Sequence, residues 1–163
     1  MAAILVTVGM GPWSFDRLIR AVEPLCAYHD LFVQTGASAV VPPCPHARWI
    51  PLDEMQCRLS DAAIVITHAG STVRLVQRLG RVPIVVARRR ALAETGSDRQ
   101  ESFLRVEERA GRVRAVWAVE TLPAAVASHL TPAARKLEPA LPPAVSDEEL
   151  TSILERVSRR LLG

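Results

Sequence analysis

The sequence predicts a doubly wound α/β domain, and three observations carry that expectation. Short apolar runs alternate along the chain with amphipathic segments of helical spacing. No two-residue hairpin signal joins one run to the next, so the strands are expected to pair in parallel through right-handed crossover helices. Third, the turn Thr67-His68-Ala69-Gly70-Ser71-Thr72 stands between the apolar run 62–66 and a helical pattern that ends at Gly80. A buried strand giving way to a helix through small residues is the unit from which such sheets are built.

Taken in order, residues 4–8 read as a buried strand closed by Gly9-Met10-Gly11. A helix is expected over 15–27, with Ser14 as N-cap and Leu18, Ile19, Val22 and Leu25 on its apolar face; Pro24 should shorten or kink it. Leu31-Phe32-Val33 forms strand two, ended by Gln34-Thr35-Gly36, and a proline-rich loop over 37–47 leads to a short third strand at Trp49-Ile50. Asp53-Glu54-Met55-Gln56 has the spacing of a capping box for a helix to about Leu59. Strand four is 62–66, the next helix 72–79 and strand five 82–86. After a charged loop over 88–96, Ser97-Asp98-Arg99-Gln100 opens another helix, which Gly111 ends. Strand six is 113–116, and a short helix follows Thr121. The organisation expected is thus a domain over 1–128, a proline-rich linker over 129–145 and a C-terminal amphipathic helix over 146–163, opened by Ser146-Asp147-Glu148-Glu149. Leu150, Ile153, Leu154, Val157 and Leu161 share one face of that helix, which either packs on its own sheet or docks on another chain.

A chain of 163 residues is long enough to bury a full core without staples or metal. The net charge of +3 suits an anionic small molecule or an anionic membrane surface, and no basic stripe interleaved with aromatics points to nucleic acid. Three cysteines without paired spacing, and the lack of a leader or a long apolar span, suggest free thiols and a cytoplasmic protein. The four histidines are too isolated to hold a metal.

In such sheets ligands bind at the carboxyl ends of the strands. The backbone amides of Ala69, Gly70, Ser71 and Thr72, with the two hydroxyls, are placed to take a diphosphate, because helix dipole and free N–H groups converge there. The same hydroxyls are equally able to cap the helix. Arg88 and Arg89 lie in a loop leaving a central strand and are candidates for the same diphosphate, unless they belong to a solvated charge run. Gly9, Gly11, Gln34 and Thr35 are placed to line the sugar or nucleoside side, with Asp98 and Gln100 as sugar contacts. Gly9-Met10-Gly11 lacks the third glycine of a dinucleotide fingerprint, and no carboxylate ends strand two. His68 is either a structural histidine or a weak catalytic candidate.

These pieces, in this order, resemble the donor-binding half of the family 28 glycosyltransferases. The residues that carry the likeness are Val6-Thr7-Val8-Gly9, Gly11-Pro12-Trp13-Ser14-Phe15-Asp16-Arg17-Leu18 and Val33-Gln34-Thr35-Gly36-Ala37-Ser38. It continues through Asp61 to Ser71, Arg78-Leu79-Gly80, Pro83-Ile84-Val85-Val86 and Asp98-Arg99-Gln100. Most similar are the short stand-alone donor subunits of two-component enzymes, of Alg13-like and PssE-like type. The resemblance implies one Rossmann-like half of the GT-B architecture, a UDP-sugar substrate without metal or other cofactor, and inverting transfer of a hexosyl or N-acetylhexosaminyl group. It also implies a membrane-associated partner subunit that holds a lipid-linked acceptor and the base, bringing this chain to the inner membrane face. The chain departs from the family pattern at three places: Thr72 follows Ser71 with no intervening glycine, Arg74, Leu75 and Val76 stand where many members have a glutamate, and Asp98-Arg99-Gln100 replaces Asp-His-Gln, with Thr95 at an upstream histidine. A non-catalytic nucleotide-sugar sensor or scaffold is the alternative.

Overall fold

The computed structural model describes residues 1–143 and 145–162. Six strands form one parallel sheet: β1 (Ala3–Thr7), β2 (Asp30–Gln34), β3 (His46–Ala47), β4 (Ile64–His68), β5 (Ile84–Val86) and β6 (Arg114–Ala115). Their spatial order is β3-β2-β1-β4-β5-β6, every pair parallel. The chain is therefore the doubly wound, Rossmann-like α/β sheet expected, with its order reversing between β1 and β4.

Strand alternation explains how the sheet takes helices on both faces. Ile4, Val6, Ile64, Ile66, Ile84 and Val86 point to one side, where they pack with Leu18, Ile19 and Val22 of α1 (Asp16–Val22) and with Leu122 and Val126 of α5 (Leu122–Ser128). Leu5 and Val65 face the other side, against Leu59 of α2 (Leu52–Asp61) and Val76 of α3 (Ser71–Arg78). On that side Val85 meets Leu104 of α4 (Arg99–Arg109).

Several boundaries differ from expectation, each for a local reason. Pro24 does shorten the first helix: α1 stops at Val22 and a 3-10 turn, Glu23–Ala27, continues it. Ser14 does not cap it. Phe15 occupies the cap position, and its N–H goes instead to Ser38 Oγ at 2.9 Å, while Asp16 takes the N–H groups of Ala39 and Val40. The loop from β2 thus satisfies the helix start that Ser14 was expected to serve. The third strand is His46–Ala47 rather than Trp49-Ile50, because the ladder to Val33 and Gln34 closes before the apolar pair is reached. Ala62 still belongs to the end of α2, so β4 begins two residues later than the apolar run. The expected capping boxes at Asp53 and Ser97 do not form: Pro51 and Asp98 hold the cap positions of α2 and α4 without a side-chain bond. Gly111, at φ +66°, does follow the end of α4.

The proline-rich stretch contains a short helix, α6 (Pro132–Arg135), and runs along the base of the sheet. The N–H of Val82 donates to Arg135 O at 2.8 Å, that of Leu137 to Gly80 O at 2.8 Å, and that of Leu141 to Gln77 O at 3.3 Å. Beyond it, α7 (Asp147–Leu162) begins with the expected cap, Glu149 N–H to Ser146 Oγ at 3.2 Å. Leu150, Leu154 and Val157 of α7 are exposed; the Leu161 side chain lies outside the described residues. Among the described residues no helix is long and apolar enough to cross a membrane.

One buried carboxylate ties α3 to α4. Glu107 accepts hydrogen bonds from Arg112, Gln77 and Arg74. Arg112 above all, with Gln77 and Arg74, overcomes the cost of burial and holds its pKa down at about 2, against 4.5 for a free side chain. A folded-state pKa below the unfolded one contributes stability at neutral pH that is lost as pH falls from the unfolded value through the folded one. Urea midpoints should therefore drop as pH is lowered from 4.5 towards 2, and Glu107→Gln should flatten that fall while lowering stability at pH 7.

Candidate functional site

Strand order reverses between β1 and β4, and the two strands end side by side at Thr7 and His68. A hydrogen-bond chain fixes the turn after β1. Thr67 Oγ1 donates to Thr7 O (2.9 Å), Thr7 Oγ1 to Gln34 Oε1 (2.7 Å), and Gln34 Oε1 also accepts the Gly9 N–H (3.2 Å). Gln34 Nε2 then donates to Gly9 O (3.1 Å) and Arg48 O (2.9 Å). Every polar atom of this buried amide is used, so Gln34 shapes the turn.

His68 sits between two glycines. A Cβ on Gly9, whose φ is +81°, would come within 2.7 Å of His68 Nε2, and a Cβ on Gly70 would overlap the ring at Cε1. The ring is wedged where only these glycines leave room. Its Nδ1 is buried without a hydrogen-bond partner among the described residues. Burial, and then the Arg88 charge, pull its pKa from 6.5 to about 4, against a hydrogen bond with Gln100 that raises it. An imidazole with a pKa near 4 and one nitrogen turned inward is a weak general base and a good spacer between the two turns.

Immediately beyond, α3 begins at Ser71. The N-cap residue, Gly70, is extended and supplies no side-chain bond, so the first amides of the helix are uncapped. Neither hydroxyl, Ser71 nor Thr72, caps the helix or bonds another described residue. The alternative in which the two hydroxyls cap the helix is therefore not realised.

These groups open into a cleft of about 310 Å³ lined by Thr7, Gly9, Gln34, Ser71 and Thr72 on one side. Met10, Ile50, Leu52, Met55 and Leu75 form the rest of its wall. That apolar wall was not foreseen, because Trp49-Ile50 reads as a strand and Met55 as part of a capping box. The signal was present in the apolar residues Ile50, Leu52 and Met55, whose spacing turns them to one side of the segment entering α2.

Other candidates are placed differently. Arg88, 4% exposed, donates to four carbonyls: Trp13 (2.9 Å), Ser14 (2.8 Å), Glu94 (3.1 Å) and Val8 (2.7 Å). Its guanidinium is committed to binding the loops together. Arg89 donates to Trp117 O and pairs with Glu101 at 3.7 Å. Gln100 Oε1 accepts the Arg88 N–H at 3.1 Å. Thr35 is buried, with its N–H on Ala47 O at 2.9 Å, while Gly11 and Asp98 are exposed. Ala69 is buried against Val73 and Val85. Arg88, Arg89, Asp98 and Gln100 do not line the cleft. Among the described residues no group of three metal-ligating side chains exists.

The fold is similar to that of CalG4, the calicheamicin glycosyltransferase, in its crystal structure. The TM-score is 0.59 at 17% identity, covering 96% of this chain and 44% of CalG4. The chain thus spans less than half the length of that enzyme, and at this identity the likeness is one of fold. It is the fold of a single GT-B half-domain. No family model matches the sequence, and no curated protein is similar to it.

Proposed function

We propose that this half-domain binds the nucleotide-sugar donor, a UDP-sugar, of an inverting glycosyltransferase of family 28, acting with a separate partner subunit. The observation that carries the reading is the uncapped start of α3, with the free Ser71 and Thr72 hydroxyls, opening at the β1–β4 reversal into a cleft with an apolar wall. Amides and hydroxyls would hold the pyrophosphate, and Ile50, Leu52, Met55 and Leu75 offer a flat apolar surface to a base or sugar face.

Donor dipoles aimed at the bond that breaks would stabilise the negative charge growing on the leaving nucleoside diphosphate. His68 positions the two turns and takes no proton. None of the side chains lining the cleft is a general base, so deprotonation of the acceptor hydroxyl falls to the partner, which also holds the acceptor and brings the chain to the membrane face.

Calorimetry with UDP tests the donor site. Ser71→Ala with Thr72→Val should weaken binding by ~1–3 kcal/mol, typical for lost bonds to a charged ligand. Equal affinity in wild type and variant would remove the assignment, and UDP binding that never supports sugar transfer with any partner would favour a sensor.

A further inference from the structure

Leu150, Leu154 and Val157 of α7 are exposed, although they recur at intervals of four and three, the spacing of a seam on which helices pair. Glu149, Ile153 and Arg156 follow the same intervals and form a second stripe along one flank of that seam, with an acid at its start and a base at its end. Seven residues apart, Glu149 and Arg156 lie two turns and about 10 Å from each other, too far to pair within one helix. Glu155 does find its partner inside the helix, in Arg159 at 3.4 Å. The chain is fastened just upstream: Arg78 Nε donates to Pro142 O at 3.3 Å, beside the bond from the Leu141 N–H to Gln77 O. From that anchorage on α3, α7 carries its apolar seam into solvent.

We propose that α7 is a homodimerisation surface, pairing antiparallel with α7 of a second copy of this chain about a two-fold axis. The flanking stripe is self-complementary in that direction alone. Antiparallel helices bring Glu149 level with Arg156 of the second copy, and the two-fold repeats the same ion pair with the roles exchanged. In the same register Leu150 packs beside Leu154 of the second copy, and the helix dipoles oppose each other. A parallel pair would instead set Glu149 against Glu149 and Arg156 against Arg156. A lipid surface suits the helix less well, because residues 147–160 hold four carboxylates and three arginines and offer no net positive charge to anionic headgroups. Sixteen residues span about 24 Å, so the contact is small and the association weak and concentration-dependent.

Analytical ultracentrifugation of the full chain, from micromolar to millimolar concentration, should show the mass move from one chain towards two. Leu154→Glu, a change at an exposed site, should hold the protein at one chain throughout. Glu149→Arg and Arg156→Glu should each weaken association about tenfold, and the double variant should return it to within a few-fold of wild type. Both reversals place charge at the wrong end of the helix dipole, so a role confined to helix stability would make the double variant the weakest of all. A parallel pair would leave both single variants unchanged and so refute the antiparallel one. The proposal is also overturned by a single chain at every concentration, by dimers that survive Leu154→Glu, or by a monomeric chain that pellets with phosphatidylglycerol vesicles. None of these measurements involves the cleft, so their outcome is independent of the ligand it takes.

Discussion

Arg88→Met should destabilise the protein by about 3–5 kcal/mol, the range for removing one partner from a buried charged network. The guanidinium crosses from the end of β5 to Val8 O at the end of β1, and to Trp13 O, Ser14 O and Glu94 O in two loops. Methionine fills the volume and donates nothing, so four carbonyls lose their donor. Chemical denaturation measures the loss. Arg88→Lys should recover part of it, because an ammonium reaches only some of the four oxygens. If Arg88 instead served a diphosphate, the same change would leave the denaturation midpoint in place and reduce UDP affinity alone.

Gly70→Ala should cost ~1–3 kcal/mol of stability, as overpacking does in a filled space, and about tenfold in UDP affinity. The backbone of Gly70 is extended (φ −125°), so alanine meets no conformational barrier there. What it meets is His68, whose ring occupies the place of the new methyl group. The displaced ring must push against Gly9 or Gln100, and either movement shifts the amides at the start of α3. A second change, His68→Ala, should return most of both losses in Gly70→Ala, because it removes the ring that the new methyl group meets. Gly9→Ala should not be rescued as fully, since its φ of +81° penalises any side chain.

The sheet was legible because its signals are local. Apolar runs mark five of the six strands, with Gly9, Gly36 and Gly70 just beyond three of them, and the lack of hairpin chemistry fixes the parallel pairing seen in the order β3-β2-β1-β4-β5-β6. The turn at 69–72 was legible for the same reason, since the start of a helix is written in neighbouring residues. Arg88 and Gln34 were not. Each looks like a ligand group at the correct edge, and each spends its donors on carbonyls far away in sequence, at Val8, Trp13, Gly9 and Arg48. Long-range satisfaction of a buried polar group leaves no trace in spacing. The caps at Ser14 and Asp53 failed similarly, because tertiary contacts through Ser38 and Asp16 serve the first helix and Pro51 starts the second.

The outermost strands of the sheet have two residues each, His46–Ala47 and Arg114–Ala115. A neighbouring molecule approaching either border finds almost no ladder to extend, with prolines beside one and a charged guanidinium on the other. Six parallel strands rich in valine and isoleucine would otherwise invite chain-on-chain polymerisation. The brevity of these margins leaves an approaching chain little template for edge-to-edge pairing.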